Sequence, residues 1–411
     1  MKKLPQLSLL ALCGGLLFFV ACSDLTDGAE PIGAPGLPEI PYAYSTIQFP
    51  PDFQFIPNFG NGGAAIDFDD LILIDEFGNV DLGDEIFVNI DPNVSSGNSF
   101  EMSNITDAGA TLGRVLFYDP QLSLNNAVAC GSCHRQKAAF ADGQIASEGF
   151  GGKFTPRNSM AIVNVALNNN LFWDSRIASL RLMVTQPVQN HLEMGMESMD
   201  VLATKLARVD YYPELFQAAF GTREVTGDRI ANALTQFLSA MVTANSRFDQ
   251  AQQNDFASFN ELERMGKDLF FGGRAKCSSC HSGANFSAPD SPFGEYGAPT
   301  VKGTANIGLD LVYADNGKGE GQFKIPSLRN IALTAPYMHD GRFNTLEEVV
   351  EHYNSGIQAH RNLDEKLIGA DGNPMRLGLN DMEKQALVAF LRTLTDEDFI
   401  RDQRFSDPFS R

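Results

Sequence analysis

Cysteine is scarce in this chain and confined to a few places. Of the six cysteines, Cys13 and Cys22 lie near the N-terminus, and the other four form two short clusters, Cys130 with Cys133 and Cys277 with Cys280. A secreted domain stapled by disulfides needs further cysteines at scattered positions, and none remain. Positive charge is scarce too: 31 Lys and Arg face 51 Asp and Glu, a formal net charge of −20. So acidic a chain cannot neutralise a run of phosphates, which excludes nucleic acid as a partner and favours encounter with cationic proteins. Tryptophan occurs once, at Trp173.

The apolar run Leu9–Val20 follows Lys2 and Lys3, and is short for the roughly 20 residues of a spanning helix. Residues 1–22 therefore read as an export signal. Phe19-Val20-Ala21-Cys22 resembles a bacterial lipobox, with Phe19 in place of the usual Leu. This predicts a periplasmic protein held to a membrane only by a lipid on Cys22; a plain secretory signal is the alternative. Residues 23–105 are rich in Gly, Pro, Asn and Asp, a composition that predicts a tether for the first part. Ile66–Ile90 alternates apolar and acidic residues, a pattern compatible with one or two small strands.

The total of 411 residues allows two domains of about 100–200 residues each, with buried cores. After Asp107 the pattern turns helical. Ile230, Leu234, Phe237, Leu238 and Met241 recur at helical spacing, as do Leu387, Phe390, Leu391 and Leu394. Thr345 with Glu348 and Asn380 with Glu383 form helix-starting pairs. No βαβ alternation occurs, so the expected fold class is mostly α with large ordered loops. A loose duplication is visible: Leu112-Gly113-Arg114-Val115-Leu116-Phe117 precedes one cysteine pair and Met265-Gly266-Lys267-Asp268-Leu269-Phe270 precedes the other. Two similar domains meeting near residue 250 follow from it.

Both pairs complete a C-x-x-C-H motif, Cys130–His134 and Cys277–His281. Two thiols at this spacing can add across the vinyl groups of one haem, delivering the adjacent histidine to the iron as proximal ligand. Two c-type haems are the expected cofactors. A zinc site pooling both motifs and a redox dithiol are the competing readings; a dithiol would not need a histidine in each copy. The sixth position on each iron then separates an electron carrier, closed by two protein ligands, from an enzyme with an open face. His191, His339, His352 and His360 are the remaining histidines.

From about Thr106 to Asp396 the chain resembles the bacterial di-haem cytochrome c peroxidases and their MauG-type relatives. The resemblance is carried by Leu112-Gly113-Arg114-Val115-Leu116-Phe117-Tyr118-Asp119-Pro120, Phe172-Trp173-Asp174-Ser175-Arg176, Glu193-Met194-Gly195, Pro326-Ser327-Leu328-Arg329-Asn330 and Thr334-Ala335-Pro336-Tyr337-Met338-His339-Asp340-Gly341. It implies two cytochrome c-like domains. Residues 106–250 would hold the peroxide-binding haem, 251–400 the electron-transfer haem, and 401–411 would form a tail. Glu193 matches the distal glutamate that takes a proton from bound peroxide and returns it to the leaving oxygen; taken alone, it reads as a surface carboxylate. Trp173 matches the tryptophan between the haems that relays electrons, and by itself reads as a core side chain. Asn158, Thr334 and Pro336 match residues that hold calcium, the last two through main-chain carbonyls, and oxygen donors suit that ion.

Three departures from the peroxidase pattern matter. The position of a displaceable distal histidine falls on Phe150, which cannot ligate iron, so the first haem is expected to be open without prior reduction. The sixth ligand of the second haem falls on Tyr353, as in MauG-type proteins, where peroxidases use a methionine; Met338 and His352 compete for that role. A phenolate stabilises higher oxidation states, whereas methionine raises the potential. Met183 stands where a distal-pocket glutamine is common. The leading expectation is a peroxidase that reduces hydrogen peroxide with electrons from a small cytochrome c or copper protein. A MauG-like oxidase acting on a protein substrate is the alternative. A non-catalytic tethered electron carrier and a peroxide sensor are the others. The resemblance leaves a homodimer open.

Overall fold

A computed structural model describes residues 33–47, 105–168, 170–287 and 303–409 of the chain. The expected signal, the lipidated Cys22 and the Ile66–Ile90 stretch lie outside the described residues.

Most of the helices begin where the sequence offers a side-chain cap. The Thr106 hydroxyl accepts from the Gly109 N–H to open α1 (Asp107–Tyr118), satisfying one of the amides a first helical turn leaves without a partner. Along the chain follow α2 (Cys130–Cys133), α3 (Leu180–Met183), α4 (Gln186–Gln189), α5 (Met199–Leu206), α6 (Tyr212–Phe220), α7 (Gly227–Ala240), α8 (Arg247–Gln252), α9 (Glu261–Phe271), α10 (Leu346–Glu351) and α11 (Asp381–Arg392). The Thr345/Glu348 and Asn380/Glu383 pairs do form reciprocal capping boxes, at the starts of α10 and α11. Strands β1 (Thr304–Ala305) and β2 (Phe323–Lys324) pair antiparallel.

The apolar stripes bury two cores. The first gathers Leu112, Leu116, Leu234 and Phe237 of α1 and α7, with Leu202 of α5 and Phe216 of α6. The second gathers Phe270 of α9 and Leu387, Phe390 and Leu394 of the α11 region, with Val350 of α10. The duplication is visible as a repeated close approach of two helices. A Cβ on Gly113 would lie 2.0 Å from the Ala233 carbonyl oxygen, and one on Gly266 would lie 1.9 Å from that of Ala386. A side chain at either site would force the facing backbone to shift, so α1 seats on α7 as α9 seats on α11.

Buried packing extends into stretches expected to lie outside the two domains. Residues 33–47, at the start of the expected tether, pack on the body: Tyr44 is buried and its hydroxyl donates to the Arg404 carbonyl. Residues 401–409, within the stretch expected as a tail, return to the first core with Phe405 and Phe409 buried. There the Tyr118 hydroxyl donates to the Phe405 carbonyl at 2.6 Å, and the Arg114 Nε donates to the Ser406 carbonyl at 2.6 Å. Phe248 and Ala251 belong to the second core, so that core begins just before residue 250.

Candidate active site

Each C-x-x-C-H motif is a single tight turn. In α2 the His134 amide donates to the Cys130 carbonyl, and after the turn Cys277–Ser279 the His281 amide donates to the Cys277 carbonyl, both at 2.9 Å. The two imidazoles are then held in the same way. His134 Nδ1 lies 2.9 Å from the Phe140 carbonyl and His281 Nδ1 lies 3.0 Å from that of Phe286. Phe140 and Phe286 take left-handed backbone, φ 62° and 50°, which aims each carbonyl back at its histidine. A carbonyl on Nδ1 fixes the tautomer and leaves Nε2 as the metal-binding nitrogen. Burial lowers the pKa of both histidines, keeping them neutral as an iron ligand must be.

The thiols fit covalent attachment better than thiolate chemistry. Burial pushes Cys130 and Cys277 up to about 12 and Cys133 to about 11. Such thiols are poor thiolates, which disfavours the redox-dithiol reading. No three His, Cys, Asp or Glu side chains among the described residues converge on a metal-sized site, which disfavours pooled zinc. The residues present therefore fit two c-type haems.

Around the first motif, Glu193 sits in the loop after α4 and is partly buried. Asn190 Nδ2 donates to its Oε1 at 2.9 Å. Burial raises its pKa, opposed by the charge of Arg176. Glu193 in turn raises the pKa of Cys130 and Cys133, so it lies within electrostatic reach of the attachment point. Phe150 packs on the same loop: its amide donates to the Glu193 carbonyl at 2.8 Å. A Cβ on Gly195 would lie 2.8 Å from its ring. A cleft lined by Val128, Cys133, Ser147, Gly149 and Phe154 opens beside this motif. Met183 is buried in the first core.

The second motif opens into a large, mainly apolar cavity of about 1930 Å³ including its open mouth. Cys277, Cys280 and His281 line it, with Tyr353, Met338 and Trp173. Asn158, Thr334 and Pro336 share its wall, so the three expected calcium ligands are brought to one cavity. Tyr353 lies in a single π-helical turn, His352–Gly356, a distortion that often re-aims a side chain at functional sites. Burial and the nearby Cys280 and Cys277 push its hydroxyl well above the usual range. Met338 has φ 75°. His352 faces elsewhere, with Nε2 3.0 Å from the Ile307 carbonyl. His339 stacks on Phe323 at 3.7 Å between ring centroids, His360 Nδ1 meets Asn306 at 3.1 Å, and His191 is exposed. Trp173 Nε1 donates to the Asn158 carbonyl at 2.8 Å.

Sequence reasoning missed several of these groups. The Phe140 and Phe286 carbonyls act through the main chain, so their identity leaves little trace beyond a shared Phe five or six residues past each motif. Lys366, whose Nζ donates to the Ser279 carbonyl at 3.0 Å, stands at the cavity rim more than 80 residues from the motif it touches.

A family profile described as di-haem cytochrome c peroxidase matches residues 107–257. The methylamine utilization protein MauG of Methylorubrum extorquens is 33% identical over 306 residues, covering 71% of this chain and 80% of that protein. The cytochrome c551 peroxidase of Nitrosomonas europaea is 33% identical over 289 residues, covering 70% and 80%. Among solved structures, a MauG-like protein associated with microbial copper homeostasis superposes with a TM-score of 0.64 at 33% identity, covering 74% of this chain and 94% of that one. The di-haem peroxidase BthA of Burkholderia thailandensis shares the fold, with a TM-score of 0.58 over 71% of this chain and 87% of that one.

Proposed function

Since the chain belongs to the family of di-haem cytochrome c peroxidases and MauG proteins and is an oxidoreductase, we propose that it reacts with hydrogen peroxide at the Cys130–His134 site. Two cytochrome c-like halves would each carry one covalent haem. Glu193 carries the reading: a partly buried carboxyl of raised pKa in a loop facing the first motif, with Phe150 packed on that loop.

When bound, haem supplies an iron that takes up peroxide and accepts its oxidising equivalents. The chain does the rest. His134 is oriented by the Phe140 carbonyl. Asn190 holds Glu193 through Oε1, which leaves Oε2 to take a proton from peroxide and return it to the departing oxygen. Phe150 offers no donor atom to close the site. Tyr353, the cavity-lining phenol beside both thiols of the second motif, is the proposed sixth ligand of the second haem. Met338 also lines that cavity, whereas the His352 ring is engaged by Ile307. Trp173, in the cavity wall, is the proposed electron relay. Asn158, Thr334 and Pro336 are the proposed calcium ligands.

The electron donor is proposed to be a small cytochrome c or copper protein, met by an acidic chain outside the cytoplasm, lipid-anchored through Cys22 and able to pair as a homodimer. Phe150 and Tyr353 also favour a second reading, in which a protein side chain, rather than a small donor, is oxidised as by MauG. Glu193→Gln tests the assignment. Peroxide turnover should fall by about 10²–10⁴-fold with both haem spectra retained. Unchanged turnover would remove Glu193 from the chemistry, and absence of turnover in the unaltered protein would restore the non-catalytic carrier.

A further inference from the structure

Trp173 is held from three directions, and one of them runs through a residue with no role assigned above. The indole N–H donates to the Asn158 carbonyl at 2.8 Å, and the Trp173 carbonyl accepts from the Lys324 amide of β2 at 2.7 Å. The residues next to these partners are also tied together. Arg157, immediately before Asn158, donates from Nη1 to Asp174 Oδ2 at 2.6 Å, and Asp174 immediately follows Trp173. The same guanidinium forks onto Asp315, with Nε to Oδ2 at 2.6 Å and Nη2 to Oδ1 at 2.8 Å. Asp315 lies in the loop between β1 and β2, where its Oδ1 also accepts from the Gly317 amide at 2.9 Å.

One planar cation therefore joins the segment whose Asn158 carbonyl accepts the indole hydrogen bond, the residue following the indole, and a loop more than 140 residues away. All three side chains keep less than a third of their surface exposed, so solvent competes only partly for these bonds. Lysine could not repeat the arrangement, because it lacks a fork that reaches two carboxylates at once.

We propose that Arg157 is a positioning residue for Trp173: by clamping Asp174 and Asp315 it sets the indole's hydrogen bond and its place between the haem sites, and so the rate at which electrons redistribute between them. The inference rests on Trp173 acting as the relay. Electron transfer depends on the place of the intervening group, and a shift of about 1 Å in a reacting geometry can cost about 100-fold in rate.

The test uses the full-length, haem-loaded protein and two readouts. The ultraviolet resonance Raman band of the indole N–H can come only from Trp173, the sole tryptophan. The redistribution rate after one electron is added is read from the two haem absorbances. Arg157→Gln should weaken the N–H signature and slow redistribution at least about tenfold. Arg157→Lys should recover part of both. If Arg157→Gln does not accumulate as loaded protein, Asp315→Asn, which removes one arm, should shift both readouts in the same direction. An unchanged band and rate in the soluble variant overturn the clamp. A Trp173→Phe variant with unchanged redistribution would instead overturn the relay, while the Raman shift of Arg157→Gln would still report the clamp.

Discussion

At the scale of single residues, the site is a set of groups moved from their ordinary behaviour by burial. Burial raises the pKa of Glu193 above the 4.5 of an ordinary glutamate. The form that can take a proton is lost as pH falls through that raised value. The acid limb of the peroxide reaction should therefore lie at higher pH than for an exposed carboxylate, and should disappear in Glu193→Gln. The stability sign follows. Burial favours the uncharged form, so that contribution is present below the ordinary pKa and lost as pH rises through the raised one. The always-uncharged Gln variant should keep or raise its thermal midpoint above neutral pH. Tyr353 is a second such group, a phenol whose proton is held by burial until a strong cation displaces it. Tyr353→Met should raise the reduction potential of the second haem, because a thioether favours the reduced iron; a redox titration checks this. No change would place the sixth ligand elsewhere. The proposed haem anchors were legible in the sequence, because covalent attachment demands fixed residue types at fixed spacing. Glu193, Trp173 and Tyr353 were legible only through the family resemblance. The carbonyls that orient His134 and His281 were not legible, since any residue supplies a carbonyl and only the backbone conformation aims it.

At the scale of elements, the helix starts were readable because capping is local chemistry: Thr345/Glu348 and Asn380/Glu383 each satisfy two amides within four residues. The apolar stripe of α7 was readable for the same reason, its period being that of the helix itself. The packing of helix on helix was less so. Gly113 and Gly266 matched in the duplication, but the structure shows what the match is for: a close approach of backbone within each helix pair. Gly113→Ala and Gly266→Ala should each cost about 1–3 kcal/mol of unfolding free energy through overpacking, read from denaturant midpoints. A loss at only one of them would mean that the two pairs do not share their packing. The π-helical turn that presents Tyr353 had no sequence signal, because it arises from how the chain leaves α10 rather than from residue preference.

At the scale of the whole molecule, residues distant in sequence complete the first core. Composition pointed to a tether before residue 105, and the resemblance ended before residue 401. Yet Tyr44, Phe405 and Phe409 are buried there, because apolar side chains in a loop-rich segment pack wherever a core lacks cover. Phe405→Ala should destabilise the protein by about 3–5 kcal/mol. Hydrogen exchange should quicken in α1 and α7 before α9 and α11; equal quickening in all four would show that the two cores unfold as one. The central claim is the proposal that the Cys130–His134 haem is open to peroxide beside Glu193. It is tested most directly by mixing the as-isolated, fully ferric protein with hydrogen peroxide in a stopped-flow spectrometer. The account predicts an immediate absorbance change and turnover with an electron donor, without prior reduction. A protein that stays silent until the second haem has first been reduced would contradict it.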